Sequence, residues 1–235
     1  MKRVTSLLSI VVLVAGVLYA HENQTADENA AGNQQVKIKG PFKETWVRPD
    51  ADISQYTKLY PWKAVFEFRD VEDTKQPRTS IERSRGGSGP YKVSEEGQKK
   101  FEEVVSDAFV KELGRSKQFE IVDAVGPDTL LVRAMVMDIV STVAPTIAGT
   151  VDSYIASLGE ATIIFELIDA ETGVVQATTG ERRQIVPPAR ATGGVGGAPM
   201  NSATILNDVK NWATVVAREL RKELDKAQKQ AGKRK

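Results

Sequence analysis

The alternation of apolar and polar residues predicts a long buried strand at the centre of the chain. Residues 119–142 contain a short apolar run, a Gly-Pro-Asp turn at 126–128 and a second apolar run. Glycine, proline and aspartate favour a turn because they supply a permissive backbone, a fixed φ and a side-chain acceptor. The second run, 130–140, is apolar on both alternating faces, which is typical of a strand in the middle of a sheet. We therefore expect the two runs to pair as a central hairpin.

Three further stretches alternate with the period of two that indicates strands. Residues 58–69 place aromatic side chains on one face, and Pro61 favours an edge position or an early bulge. Residues 159–170 also alternate, and the Asp-Ala-Glu-Thr-Gly sequence at 169–173 predicts a hairpin turn. The next stretch, 174–186, is rich in Thr, Gln, Glu and Arg, so we expect it to form an exposed edge strand.

Two amphipathic helices complete the pattern. The first begins at Ser94, a hydroxyl cap followed by two glutamates at the positive end of the helix dipole, and it ends at Gly114. The second begins near Ser202. Each helix has one apolar stripe with three- and four-residue steps. The stripes are Phe101, Val104, Val105, Ala108, Phe109 and Leu113 in the first helix, and Ile205, Val209, Trp212, Val216, Leu220 and Leu224 in the second.

The order of elements is therefore β-α-β-β-β-β-α in a single domain at residues 41–228. A helical crossover between the first two strands makes them parallel, whereas the short connections after them make the later strands antiparallel. We predict an α+β fold with a mixed, mainly antiparallel sheet of about five strands. Both amphipathic helices are expected to pack on one face of that sheet.

The N-terminal segment, residues 1–20, has the pattern of an export signal. A basic pair at positions 2–3 precedes an apolar run at 7–18, which is shorter than the ~20 residues needed to cross a bilayer as a helix. We expect cleavage between Ala20 and His21. The alternative is an uncleaved anchor, and membrane contact is expected only in that case.

Polar and glycine-rich stretches separate the predicted elements. Residues 21–40 have the composition of a flexible linker, and the basic tail at 229–235 is expected to fray. Residues 83–91 and 190–200 are rich in glycine and are interpreted as mobile surface loops. The first of these loops lacks the Gly-Lys-Ser/Thr ending of a phosphate-binding loop.

The composition excludes several kinds of chemistry. The chain has no cysteine, so disulfides, thiolate metal sites and a lipid-modified N-terminal cysteine are excluded. Its single histidine, His21, lies at the predicted cleavage site. Cleavage leaves 30 basic and 31 acidic side chains, a balance that gives no electrostatic case for binding nucleic acid. We predict no catalytic residue, metal ligand or cofactor.

Arg133 is the candidate site residue of the central strand. A charge in a strand that is buried on both faces has to be paired. If the loop after this strand centres near Gly149, the antiparallel register places Arg133 opposite Glu166. We expect a buried ion pair between them, and an anion-binding site is the alternative.

Four acidic residues at strand ends and turns allow a second interpretation. Asp123, Asp138, Asp169 and Glu171 could supply paired catalytic carboxylates, but nothing in their spacing selects a pair. Carboxylates at such positions also commonly cap turns.

Three sequence motifs resemble the landmarks of a bacterial family, domain of unknown function 3313. They are Thr-Trp-Val-Arg-Pro-Asp-Ala-Asp-Ile-Ser-Gln-Tyr at 45–56, Val-Gly-Pro-Asp-Thr-Leu at 125–130, and Glu-Leu-Ile-Asp-Ala-Glu-Thr-Gly at 166–173. The resemblance spans residues 41–224 and implies an envelope protein, since members are typically predicted lipoproteins without an established activity. This chain lacks the cysteine that carries the lipid, which implies a protein without a lipid anchor.

These observations predict an exported protein of the periplasm or cell envelope. The expected function is a non-enzymatic partner-binding or assembly module. Its partner is expected to be another envelope protein or a second copy, met through an exposed strand edge. The alternative is a carboxylate-dependent hydrolase that acts on an envelope polymer.

Overall fold

The computed structural model describes residues 35–71, 90–143, 158–186 and 202–232. The predicted signal segment, its cleavage site at Ala20 and His21, and most of the two glycine-rich stretches lie outside these ranges. Within them, none of the helices combines the length and the hydropathy needed to cross a bilayer.

The described residues form one mixed sheet of eight strands and two long helices, an α+β fold as predicted. The strands are β1 (Val36–Lys37), β2 (Glu44–Val47), β3 (Lys58–Pro61), β4 (Val65–Phe68), β5 (Glu120–Ile121), β6 (Thr129–Ser141), β7 (Gly159–Asp169) and β8 (Val175–Ile185). The helices are α1 (Glu95–Leu113) and α2 (Ser202–Ala231), and a single 3-10 turn spans Ile53–Gln55. The strand order is β1-β2-β8-β7-β6-β3-β5, and β4 pairs with β6 beyond the end of β3.

The predicted parallel pairing across α1 is confirmed, but the predicted central hairpin is wrong. β3 lies between β5 and β6 and runs parallel to both of them. The reason is the turn before β6, where the Asp128 carbonyl accepts the amides of Thr57 and Lys58 at 3.0 and 3.1 Å. The turn therefore holds β3 beside β6 and keeps β5 one strand away.

Four other differences concern the margins of the sheet and the bounds of the elements. The predicted strand at 58–69 is interrupted after Pro61, which cannot donate a ladder hydrogen bond, and this produces β3 and β4. The expectation that 174–186 is an exposed edge is wrong for residues 177–180, because β2 pairs with them. β1 lies inside the stretch expected to be linker, and α2 continues to Ala231.

Both helices pack on one face of the sheet, which we call the inner face, and the core lies between these layers. α1 begins where the Ser94 hydroxyl accepts the Gly97 amide at 3.2 Å, and its apolar stripe meets that of α2 over the sheet. The rings of Phe109 and Phe165 lie 5.5 Å apart, and those of Phe101 and Trp212 lie 6.4 Å apart. The other side of the sheet, the outer face, carries the side chains that point away from the helices.

Candidate interaction site

The side chain of Arg133 projects from the outer face of the sheet. The antiparallel register of β6 and β7 sets it opposite Glu166. The Arg133 Nε donates to the Glu166 Oε2 at 2.6 Å, and the Nη2 donates to the same oxygen. The guanidinium carbon also lies 5.9 Å from the centroid of the Trp62 ring, within the range of a cation–π contact.

This ion pair is partly exposed, unlike the buried pair that we expected. The side chains of Arg133 and Glu166 are 36% and 17% exposed, because the helices cover only the inner face of β6. Solvent screens such a pair, so its contribution to stability is about 0–1 kcal/mol. Since Glu166 already neutralises the guanidinium, the geometry favours a structural cross-strand contact over an anion-binding site.

A β-bulge at Asp138 gathers four charged side chains at one end of the outer face. Asp138 has a φ of 54°, and the β6–β7 register shifts here. Arg69 donates to both carboxylate oxygens at 2.6 Å, and the Arg182 Nη1 donates to Oδ2 at 2.5 Å. The Arg182 Nη2 also donates to Glu160 at 2.5 Å. The hydrogen bonds from Arg69, and then those from Arg182, hold the pKa of Asp138 well below its ordinary value.

Asp169 closes the β7–β8 hairpin at the opposite end of the sheet. Its Oδ1 accepts the amides of Glu171 and Thr172 at 3.0 and 2.7 Å, and its Oδ2 accepts the Tyr56 hydroxyl at 2.7 Å. Gly173 follows with a φ of 69°, a left-handed conformation that favours glycine. Burial, followed by the hydrogen bond to Asp169, raises the pKa of Tyr56. The carboxylate thus fixes the turn.

The four carboxylates considered as catalytic groups do not converge. Asp169 pairs with Leu130, and Asp138 lies eight residues further along β6, which corresponds to about 27 Å. Asp123 is exposed on the loop after β5, and Glu171 is exposed in the hairpin turn. Within the described ranges, no group of three or more His, Cys, Asp or Glu side chains is arranged to hold a metal ion.

A buried glutamate connects the two helices. Glu112 of α1 is 2% exposed, and it accepts from the Arg115 Nη1 at 2.7 Å and from the Arg221 Nη2 at 3.2 Å. The Arg218 Nε lies 3.5 Å from the same carboxylate. Arg221 also donates to Asp225 at 3.2 Å, so the cluster is a charge network between α1 and α2. Its location in the helix layer indicates a structural role.

β4 is an edge strand of the sheet, and its free edge is the strongest candidate for an interaction site. β4 pairs with β6 along one edge, and no other described strand pairs with it. Successive residues of a strand direct their N–H and C=O groups to alternate sides, so part of the β4 backbone points away from the sheet without a strand partner. Val65 is 49% exposed and Trp62, just before β4, is 45% exposed.

Two charged residues flank Val65 along the chain. Lys63 and Glu67 are both exposed, and neither makes an ion pair with another described residue. Val110 of α1 is 51% exposed and lies on the inner face near Trp62 and Lys63. We call these five residues, Trp62, Lys63, Val65, Glu67 and Val110, the β4 edge patch. A small apolar cavity of about 110 Å³ opens between Trp62, Lys63 and Val110.

The other strand edges in the described ranges are better protected. β1 has only two residues, and short edge strands offer little to an incoming strand. The end of β8 that extends past β2, residues 181–185, has the sequence Glu-Arg-Arg-Gln-Ile. Three charged side chains in succession oppose pairing with another chain. β5, the last strand in the order, also has only two residues. Of these four edges, β4 alone combines apolar exposure with a low density of charge.

No direct signal in the sequence identified the β4 edge. The aromatic alternation at 58–69 predicted a strand, and Pro61 favoured an edge, but β8 was expected to be the exposed strand. Strand neighbours depend on long-range pairing, which single-sequence periodicity does not report.

Comparisons with known proteins assign no family to this chain. No protein-family model matches it, and no curated protein matches it. The domain of unknown function 3313 therefore remains an expectation from the sequence motifs.

Several solved structures are similar to the chain at a low level. Protein XCC0632 from Xanthomonas campestris, of the DUF330 family, has a TM-score of 0.41 and 11% identity over 80% of this chain and 93% of its own. The PelC dodecamer from Paraburkholderia phytofirmans has a TM-score of 0.31 and 10% identity over 75% and 96%. The DUF4136 family protein BT2437 from Bacteroides thetaiotaomicron has a TM-score of 0.29 and 10% identity over 80% and 98%. These similarities are too low to assign a function.

Proposed function

We propose that this chain is an exported protein of the cell envelope and acts as a non-enzymatic binding and assembly module that joins its partner at the β4 edge patch. The observation that carries this proposal is the position of β4, which pairs with β6 on one side only. The polypeptide that it joins adds a strand to this edge. The same sheet then continues from one molecule into the next.

Strand addition uses groups that β4 already presents. Main-chain hydrogen bonds give such a complex its affinity, and alternate side chains give it its specificity. The outward-pointing side chain of Val65 and the nearby indole of Trp62 supply exposed apolar surface at this edge. A soluble domain that leaves such an edge uncovered risks aggregation, so a partner that covers it is the simplest explanation for its composition.

The stable framework around β4 suits this role. β6 runs through the centre of the sheet and pairs with β7 along nearly its whole length. It also pairs with β4 between Met135 and Ile139, with a register shift between Phe66 and Phe68. Phe66 and Phe68 of β4 also pack edge-on against Phe101 of α1, with ring centroids at 6.2 and 5.7 Å. The edge is therefore preorganised, and joining it costs little conformational entropy on this side.

The proposal of an envelope location rests on the N-terminal sequence. The basic pair at 2–3 followed by the apolar run at 7–18 has the pattern that directs export. The chain has no cysteine, so it carries no thiol that an oxidising compartment would convert to a disulfide and none that could carry a lipid.

Photo-cross-linking in living cells tests the proposal. A photoreactive amino acid at position 65 should give a discrete adduct of higher mass after irradiation. The matched control is position 215 on α2, because Val215 is 45% exposed, close to the 49% of Val65, but lies away from β4. We expect an adduct from position 65 and none from position 215.

Two results would contradict this function. One is the lack of any adduct at position 65 when the chain is present at its normal level in the envelope. The other is an equal yield of adducts at positions 65 and 215, which would indicate random collisions. Mass spectrometry of the same sample gives the mature N-terminus and thereby tests cleavage between Ala20 and His21.

A further inference from the structure

We infer that the polypeptide that joins β4 is β4 of a second copy of this chain, paired antiparallel about a two-fold axis at Val65. This inference rests on the proposed function and specifies its partner. It is drawn from the order of charged and apolar residues at the β4 edge patch.

The edge has a sequence that complements its own reverse. Val65 lies at the centre, with Lys63 two residues before it and Glu67 two residues after it. When two copies pair antiparallel with Val65 opposite Val65, Lys63 of each copy lies opposite Glu67 of the other. Cross-strand pairs of opposite charge stabilise an antiparallel ladder, and the symmetry supplies two of them.

The charges that form these pairs are available. Three arginines of the outer face already form ion pairs. Arg69 and Arg182 bind Asp138, and Arg133 binds Glu166. Lys63 and Glu67 make no ion pair with any described residue, although both are exposed on the same short segment. A flexible lysine side chain at the end of the break before β4 can reach a carboxylate on a neighbouring strand.

The β4 side chains that point to the inner face also fit this register. The pairing that sets Val65 opposite itself sets Ala64 opposite Phe66 of the second copy. Ala64 and Phe66 both pack against the core, so a small side chain meets a large one at each of the two positions. The cavity of about 110 Å³ beside Ala64 leaves room for side chains of the sheet and of α1 to move where the two copies meet.

The helix layer extends the contact. Val110 of α1 lines the same cavity as Trp62 and Lys63, and it is half exposed. Because Val110 lies beside the residues that precede β4, it adds apolar surface of each copy next to the joined strands. The paired segment is short, so the contact is smaller than the roughly 800 Å² per partner of a standard interface, and we expect weak and reversible association.

Charge reversal provides the test. Sedimentation velocity of the full chain over a range of concentrations measures the dimer dissociation constant. Lys63→Glu places glutamate opposite glutamate in both pairs, and Glu67→Lys places lysine opposite lysine. We expect each variant to weaken self-association by about tenfold or more, since two attractive pairs become repulsive. Lys222→Glu, the same charge change at an exposed site on α2, is the control and should leave the constant unchanged.

Mixing the two variants gives the decisive result. In a dimer of one Lys63→Glu chain and one Glu67→Lys chain, both cross-strand pairs join opposite charges. The mixture should therefore form a dimer at concentrations where each variant alone is monomeric. The double variant in one chain should also recover self-association. Thermal unfolding of each variant checks that these exposed changes leave the fold intact.

The outcomes separate this inference from the proposed function. If the natural chain is monomeric at every concentration, or if the mixture stays monomeric while the natural chain dimerises, the inference is overturned. If the chain is monomeric but cross-links from position 65 to a different protein in cells, the proposed function stands and the partner is not a second copy. If position 65 gives no adduct and the chain is monomeric, both fail.

Discussion

The buried charge between the helices allows a large stability effect to be predicted. Replacing Glu112 by glutamine removes the negative charge from a site that is 2% exposed and leaves Arg221, 14% exposed, without its partner on α1. Arg221 keeps Asp225 on its own helix at 3.2 Å, but it loses the charged contact that joins the two helices. A hydrogen bond to a charged group typically contributes about 1.5–3 kcal/mol, and we expect a loss of that size. For a domain of this size, that loss lowers Tm by roughly 3–12 °C.

Urea unfolding followed by circular dichroism measures this loss. Glu96→Gln is the matched control, because Glu96 forms an ion pair with Lys100 on the same helix but is fully exposed, and it should unfold like the natural protein. Replacing both Glu112 and Arg221 by methionine should recover part of the loss, since the two least exposed charges of the cluster are then removed together. Arg115 and Arg218 lose Glu112 but are about half exposed, and Asp225 keeps the Ser116 hydroxyl. A loss of less than about 1 kcal/mol for Glu112→Gln would refute the reasoning.

Three further predictions concern other parts of the fold. Gly159→Ala should destabilise the domain by about 1–3 kcal/mol or more, because its Cβ would overlap the Val140 carbonyl, whereas Gly114→Ala has room and should unfold normally in the same urea assay. The pKa of Asp138 is lowered in the folded state, so the stability that it contributes is present above its unfolded pKa near 3.9 and is lost as the pH falls further. Unfolding curves of Asp138→Asn should therefore lack this acid-dependent part, and an unchanged pH profile would contradict the role of its two arginines. Val65→Lys should weaken the self-association measured by sedimentation velocity without lowering Tm, because it adds a charge at an exposed edge position.

Local features of the sequence were sufficient to predict the elements that their own residues determine. α1 begins and ends where the cap at Ser94 and the stop at Gly114 indicated. The β7–β8 hairpin follows from the turn at 169–173, where one aspartate accepts two amides and a glycine takes the positive φ. In both cases, the determining contacts lie within a few residues of each other.

The remaining features depend on contacts between distant residues. β1 and β2 have two and four residues, too few to show a periodic pattern, and they exist because β2 pairs with β8. The bulge at Asp138 shifts the alternation of β6, so that Ile139 joins the core cluster facing the helices, where the sequence pattern placed Val140. The signal for this bulge is the pairing of Asp138 with Arg69 and Arg182, which the sequence alone does not reveal.

The candidate site likewise combines a feature that the sequence predicts with features that depend on contacts between distant residues. The spacing of Arg133 and Glu166 was enough to place them opposite each other, but their partial exposure follows from the helices covering only one face. The β4 edge became evident only when β3 and β4 were found as separate partners of β6, with β5 beside β3 and no described strand beside β4. The charges of Lys63 and Glu67 could be interpreted as pairing groups only after β4 was known to be an edge strand.

Hydrogen exchange in β4 shows whether this strand is the edge that a second copy joins. The exchange of the amides from Val65 to Phe68 is followed by mass spectrometry at low and high concentrations of the full chain. The edges for comparison are β1, β5 and residues 181–185 of β8. We expect exchange to slow in β4 at high concentration and to stay constant at the other three edges. Protection that arises at one of those edges while β4 is unchanged would contradict strand addition at β4.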